Sequence, residues 1–318
     1  MITTYHKQNS QISATKDIDL SDAALLWIDL CDISEEEVRL VENTYSIEIP
    51  SKKKMQQIEV SKRLYHENDA IYIVTALVNP NEEAIHNHSV TFILHKNKLI
   101  TVRYSNELPS FRMFKQKIET HPEKFNSAQD LLLEILGIIV ERHADILQHV
   151  RHQISSLNQL VFLSVDSSTK INYEETIKTI GKQNGTLTKV EASVLTFIRA
   201  INFCLNILEC SKEDNIKLRI MLDDYQSINE KSKFLSEETN FLLSASLGMI
   251  GIEHSQIVKL VSIVSLVFLP PTLIASVYGM NFEFMPELRE IFGYPVALML
   301  MIISAILPYM ICRKKNWL

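Results

Sequence analysis

A chain of 318 residues, 46% hydrophobic and 22% charged, is too long for one small domain. A formal charge of −6 and a sequence pI near 6.0 exclude the basic bias of a nucleic-acid binder. Only 7 Gly and 9 Pro occur, as in a chain dominated by long helices.

The N-terminal stretch Met1-Ile2-Thr3-Thr4-Tyr5-His6-Lys7 has no apolar core and no cleavage site, so no signal peptide is expected. Residues 1–125 read as a mixed α/β domain. The apolar run 23–30 suits a buried strand, and Ser34 before Glu35-Glu36-Glu37 caps a helix by accepting orphan N–H groups. Strands are expected at 58–65, 70–78, 89–94 and 98–104, where β-branched and aromatic residues concentrate. The break Lys96-Asn97-Lys98 joins the last two as a hairpin, and helix returns at 111–120.

From residue 127 to 163 the period changes. Leu131, Leu132, Ile135, Ile138, Ile139, Ile146, Val150 and Leu157 recur at three and four, which predicts a long amphipathic helix. A second helix is expected over 173–210, with a weak spot at Gly181 and Gly185. A third starts after Ser211-Lys212-Glu213-Asp214 and meets no Pro before Pro270, so it reads as one rod, roughly 90 Å long at helical rise. Such a rod needs cover from the two preceding helices or from copies of itself. Residues 126–255 are therefore a helical stalk.

Residues 256–318 differ in kind. No charge falls between Leu260 and Tyr278 or between Ile291 and Cys312, and each stretch can cross a hydrocarbon core of roughly 30 Å. The expectation is a transmembrane hairpin with helices at 257–278 and 291–312 and an outer loop at 279–290. Lys259 opens the first helix and Arg313, Lys314 and Lys315 follow the second, whereas the loop carries Glu283, Glu287 and Glu290 against Arg289. The positive-inside rule puts both termini in the cytoplasm. Tyr278, Tyr294, Tyr309 and Trp317 lie near the expected interfaces, and Pro270-Pro271 should kink the first helix or expose its carbonyls. Of Cys31, Cys204, Cys210 and Cys312, three fall in cytoplasmic segments and none forms a C-x-x-C pair, so reduced thiols are expected.

Ser255, Val258, Ser262, Ser265, Leu269, Thr272 and Ser276 follow one another at three or four along the first membrane helix, on one face. In lipid the hydroxyls would be wasted. Close helix packing and a pore account for them equally well.

Tyr278-Gly279-Met280-Asn281 at the outer end of that helix, then Phe282-Glu283-Phe284-Met285-Pro286-Glu287-Leu288, and a tail of Arg313-Lys314-Lys315-Asn316-Trp317-Leu318, resemble the CorA family of magnesium channels. The resemblance is strongest over the last sixty or so residues. It implies an α+β membrane protein with an N-terminal cytoplasmic α/β domain, a long helical stalk and two C-terminal transmembrane helices, assembled as a homopentamer in the cell inner (plasma) membrane. It implies that the first helices of the subunits line a pore, with Thr272 at the family's threonine position and Leu269 and Val258 at apolar constrictions. Gly279, Met280 and Asn281 would form the selectivity filter. A pore that passes Mg2+ quickly should meet the hydrated ion with carbonyl oxygens, because Mg2+ sheds inner waters reluctantly. Co2+ and Ni2+ are expected to pass as well.

Glu283 and Glu287 at the outer mouth would attract cations or simply be solvated. The resemblance further implies that cytosolic Mg2+ bound between subunits by acidic residues closes the pore, for which Asp223 and Asp224 are the candidates. His86 with His88 and His149 with His152 have metal-like spacings but no Cys or acidic partner to complete a set. No G-x-x-x-x-G-K-[ST] loop argues for an ATPase, no nucleophile elbow for a hydrolase, and no carboxylate within either span for a proton relay. At 100 mV a divalent cation entering a negative cytosol gains about 4.6 kcal/mol, so downhill entry suffices. Two other readings stay open: a zinc transporter of the same superfamily, whose triplet usually departs from Gly-Met-Asn, and a membrane-anchored cytosolic sensor or scaffold.

Overall fold

A computed structural model of the chain describes residues 1–8, 11–15, 20, 22–57, 63–79, 86–105, 108–163, 172–280, 285–286 and 291–315. It divides into two compact units, Met1–Leu243 and Ser244–Leu318.

The first unit is built on a seven-stranded sheet: β1 (Ile2–Gln8), β2 (Gln11–Thr15), β3 (Leu25–Cys31), β4 (Leu64–Glu67), β5 (Ala70–Val78), β6 (Asn87–His95) and β7 (Lys98–Arg103). Their order is β2-β1-β3-β7-β6-β5-β4; β3 and β7 run parallel and every other neighbour is antiparallel. Helices α1 (Glu35–Tyr45) and α2 (Lys52–Gln57) cover one face. The other face carries α3 (Pro109–Thr120), α4 (Ala128–Leu163) and α5 (Tyr173–Ile207). Cover on both sides explains why β3 is buried at every position and reads as an unbroken apolar run. Ser34 forms a full capping box with Glu37, as its acidic followers predict.

The expected strand at 58–65 is realised only near its end, in β4; residues 58–62 lie outside the described residues. Asn68 and Asp69 turn β4 into β5 with φ of 49° and 57°, the left-handed pair that a two-residue hairpin of matching twist requires. Strands β1 and β2 and helix α2 have no counterpart among the sequence expectations.

Among the described residues one carboxylate sits inside the sheet core. Asp29 on β3 accepts from Arg103 Nε at 3.0 Å and Nη2 at 2.9 Å, and from Thr101 Oγ1 at 3.0 Å, while Lys115 Nζ of α3 lies 2.8 Å away. Burial pushes this carboxyl up, but the Arg103 bonds and charge, with Lys115, outweigh it and hold it below its ordinary value. The cluster ties β3, β7 and α3 together.

The next helix, α6, runs from Lys212 to Tyr278. Its early part completes a three-helix layer. His143 of α4 meets Tyr225 and Phe162 meets Phe241, which sets α4 and α6 parallel; Phe197 of α5 stacks on Tyr225 and Asn184 bonds Ser236, which sets α5 antiparallel to both. Leu218, Tyr225, Ser232 and Thr239 are all buried at steps of seven, with Ile228, Leu235 and Leu242 at the positions between and after them. That is a heptad seam, and it packs α6 as a coiled coil packs. Helix α5 is continuous through Gly181 and Gly185, contrary to the expected weak spot, and ends at Ile207, three residues short of the expected Cys210. Its Thr186 hydroxyl returns to Lys182 O inside the helix, and nothing approaches the two glycines closely.

The second unit contains the rest of α6 and α7 (Gly293–Lys314). Among the described residues three helices are long and apolar enough to cross a membrane: α5, α6 and α7. In α5 the apolar window is 39% buried within the protein, against 0% in α6 and 11% in α7. The apolarity of α5 is spent on the sheet: Ser193, Val194, Phe197 and Ala200 are buried, and Thr196 Oγ1 accepts from Ala76 N of β5. That of α6 and α7 has no such use.

Candidate functional site

The positions of interest lie on the final turns of α6. Ile263 is buried and Val267, Pro270, Pro271, Ile274 and Tyr278 are half-buried, which marks one side of the helix as covered; in α7 Ala297 and Cys312 are buried. Val258, Ser262, Ser265, Leu269, Thr272 and Ser276 are all exposed. At about 100° per residue these two sets fall on roughly opposite sides of α6. The hydroxyl stripe is therefore the uncovered face.

Local chemistry explains how the stripe coexists with helix. Ser262, Ser265 and Thr272 each return their hydroxyl to the carbonyl four residues back, Val258 O at 2.7 Å, Val261 O at 2.9 Å and Phe268 O at 2.7 Å. Such bonds satisfy the donor without a partner helix and leave the oxygen lone pairs outward. Helix α6 continues through Pro270 and Pro271, which cannot donate to the carbonyls of Leu266 and Val267.

The stripe continues a longer pattern. Ile220, Ser227, Phe234, Phe241, Gly248 and Ser255 are exposed at steps of seven, and the same step leads to Ser262, Leu269 and Ser276. Ile220 and Phe234 are bulky apolar side chains exposed at multiples of that interval, whereas Phe241 stacks on Phe162 of α4.

At the helix end Gly279 N donates to Ala275 O at 2.9 Å and Met280 N to Val277 O at 3.3 Å. Gly279 does not take the left-handed backbone expected of a turning C-cap glycine. Its requirement is space, since a Cβ there would lie 3.1 Å from Ala275 O. Met280 is exposed. Asn281, Glu283 and Glu287 lie outside the described residues.

Asp223 and Asp224 are exposed on α6, immediately before the buried Tyr225. Their oxygens suit Mg2+, but two carboxylates leave most of an octahedral shell to other donors. Among the described residues no three His, Cys, Asp or Glu side chains form a metal-holding group. His149 and His152 do not converge: one lines a groove between α4 and α5, the other a groove between α4 and α6. His86 is exposed, and His88 half-buried, at the start of β6.

The family model described as CorA-like Mg2+ transporter protein matches residues 22–314. The chain is 31% identical over 320 residues to the magnesium transport protein CorA of Pectobacterium atrosepticum, covering all of both chains. Among solved structures it resembles the complete CorA magnesium transporter of Methanocaldococcus jannaschii, with a TM-score of 0.78, 20% identity, and 100% and 99% of the two chains covered. The cytoplasmic domain of ZntB from Vibrio parahaemolyticus gives a TM-score of 0.59 at 14% identity, over 78% of this chain and 97% of that one. At those identities the structural likenesses show the fold alone.

Proposed function

The chain belongs to the CorA-like Mg2+ transporter family, and from that premise we propose that it is a channel admitting hydrated Mg2+ down its electrochemical gradient. The family is one of transporters, and enzymatic chemistry has no place in the reading. The observation that carries the proposal is the exposed stripe of Val258, Ser262, Ser265, Leu269, Thr272 and Ser276, on the side of α6 opposite its covered face and running up to Gly279-Met280-Asn281. Several copies gathered round an axis would turn that face inward. The exposed Ile220 and Phe234 on one face of the same helix support its self-association, and a homopentamer is the assembly we propose.

In this reading α6 and α7 both span the inner membrane, with the termini cytoplasmic, and the domains divide at 1–125, 126–255 and 256–318. Leu269 and Val258 narrow the pore, and the hydroxyls of Ser262, Ser265, Thr272 and Ser276 offer lone pairs to the ion's water shell. The Asn281 amides and the Gly279 carbonyl form the filter, Glu283 and Glu287 concentrate cations at the mouth, and Co2+ and Ni2+ use the same path. Asp223 and Asp224, paired with donors of a second copy, bind cytosolic Mg2+ and hold the pore shut.

The test is ion uptake into liposomes containing the full chain, with Mg2+ outside, for the protein and for Asn281→Ala. Uptake that Asn281→Ala abolishes or makes unselective is the expected result. Equal uptake in both removes Asn281 from the filter. Uptake of Zn2+ without Mg2+ moves the chain to a zinc transporter, and insertion with no uptake of any ion leaves a membrane-anchored scaffold.

A further inference from the structure

A groove of about 530 Å³ runs between α4 and α5 of the first unit, away from every residue assigned to ion passage. Its volume lies in the range of small-molecule sites. Along the α4 wall, from Arg142 to Gln153, it extends about 16 Å at helical rise. Between those two residues the buried Ile146 and Val150 give it an apolar floor, and the rest of its lining is polar.

The polar lining favours a negative ligand. Arg142 Nη1 donates to Asp145 Oδ2 at 2.9 Å and so offsets the one carboxylate among the described lining residues. Lys182 of α5 is left over, with no carboxylate in salt-bridge reach among the described residues, and the His149 imidazole adds a further donor. Thr179 and Thr186 spend their protons on Glu175 O and Lys182 O one turn back, so their hydroxyls present lone pairs only. Gln183 supplies the sharper signal. It is only 8% exposed and bonds to nothing among the described residues, yet its amide has two donors and an acceptor to satisfy. It faces the groove, and an enclosed amide left unpaired is costly, so a ligand that meets it gains what apolar contact alone would not.

We propose that this groove binds a nucleoside phosphate, its phosphate between Lys182 and the amides of Gln183 and Gln153, its sugar hydroxyls donating to Thr179 and Thr186, and its base lying on Ile146 and Val150. The unpaired lysine selects the phosphate. The two spent threonines select a ligand that brings donors of its own, and the floor selects a flat ring with little polar surface. A free phosphate would not use that floor, and a plain apolar molecule would leave Lys182 and Gln183 unmet. The inference goes beyond ion passage and stands whether or not α6 lines a pore.

The experiment is isothermal titration calorimetry of the detergent-solubilised full chain with the common ribonucleoside monophosphates, the matching nucleosides and inorganic phosphate. At least one nucleotide should bind, and more tightly than either its nucleoside or phosphate alone. Lys182→Gln should weaken that binding about tenfold, equivalent to ~1.4 kcal/mol. Lys182→Arg should keep it. Gln183→Leu, which fills much the same space without the amide, should weaken it while the melting temperature is held or raised, and Lys233→Gln, the same charge loss on α6 outside the groove, should leave it unchanged. Absence of binding by every nucleotide overturns the site, as does unchanged affinity in Lys182→Gln or Gln183→Leu. An equal fall in Lys233→Gln overturns it as an effect of bulk charge. Phosphate that binds as tightly as the nucleotides overturns the nucleoside and leaves an anion site only, and a nucleoside that binds as tightly as its nucleotide overturns the phosphate contact. A change of assembly size in Lys182→Gln with nucleotide affinity intact overturns the proposal in favour of a second copy seated in the groove.

Discussion

His143 Nε2 of α4 lies 2.7 Å from Ser193 Oγ of α5, in the dry centre of the three-helix layer. Ser193 in turn donates to Ala76 O of β5, and Tyr225 OH of α6 lies 3.4 Å from His143 Nδ1. His143 Nδ1 also lies 2.9 Å from Ile139 O, and a carbonyl only accepts, so the ring donates from Nδ1 and accepts at Nε2, and the one Ser193 proton serves both Nε2 and Ala76 O. Tyr225, His143, Ser193 and the sheet stand in one line of polar contacts. Four elements are joined through a neutral imidazole.

Burial pushes the His143 pKa down to about 4, the carbonyl of Ile139 opposing weakly, and no carboxylate offsets a charge there. In the unfolded chain the ring titrates near 6.5, so between these values the unfolded state binds the proton that the folded state refuses. Stability is therefore whole above about pH 6.5 and falls as the pH drops toward 4, by on the order of 3 kcal/mol in total. Thermal melts of the full chain at pH 7 and pH 5 should show this loss, and His143→Gln should flatten it. The same slope in His143→Gln would place the titration elsewhere. Ser193→Ala strands the ring Nε2 and Ala76 O, at a cost of about 1–3 kcal/mol at any pH.

Asp29 is a buried charge whose loss should be felt. Asp29→Asn leaves Arg103 and Lys115 beside a neutral amide in the sheet core, and breaking a buried pair from one side costs about 3–5 kcal/mol. Because the folded carboxyl is held below its ordinary value, its contribution is present at neutral pH and disappears as the pH falls through the acid range. Denaturant midpoints for Asp29→Asn and for the double change Asp29→Asn with Arg103→Met check the mechanism. The double variant should recover part of the loss, and no recovery would mean that the packing of β3, not the stranded cation, sets the cost.

Both clusters mark where sequence reading stops. The run around β3 was legible because a strand covered on both faces is apolar throughout, and β5, β6 and β7 were legible from their β-branched content. The edge pair β1 and β2 was not, since Thr4 and His6 are polar residues buried by partners far along the chain, Thr15 O and Asp22. His143 follows Ile139 by four and precedes Ile146 by three, in phase with the apolar stripe of α4, and that phase was an available signal. Asp29 inside an apolar run was another, for a lone carboxylate in a buried strand demands a cation. The hydroxyl spacing along one face of α6 was legible because it needs no tertiary partner to be seen. That this face is the uncovered one is tertiary information, supplied by the burial of Ile263, Ala297 and Cys312.

Gly279 gives a local test at the end of that stripe. A Cβ 3.1 Å from Ala275 O is tighter than the helix end tolerates without a shift of a few tenths of an ångström. Gly279→Ala should therefore cost little global stability, about 1 kcal/mol or less, while moving Met280 and the residue after it relative to α6. Its expected signature is reduced or less selective Mg2+ uptake with an unchanged melt. Unchanged uptake would show that the end of α6 can absorb the methyl, and the close approach would then have no bearing on passage.

The orientation of the stripe itself can be read by thiol accessibility. In a chain freed of its own cysteines, Ser265→Cys and Thr272→Cys place a thiol on the uncovered face of α6, while Ile302→Cys places one on the exposed apolar side of α7. A pore face is wet and a lipid face is dry, and only the thiolate formed in water reacts quickly with a charged, membrane-impermeant methanethiosulfonate. Modification at residues 265 and 272 should proceed and should stop most Mg2+ uptake, because the added cation would sit in the path of another. Residue 302 should stay unmodified and its variant should conduct normally. Rapid reaction at 302 with none at 265 or 272 would turn the hydroxyl side toward lipid, and the passage of ions through a ring of α6 helices would have to be given up.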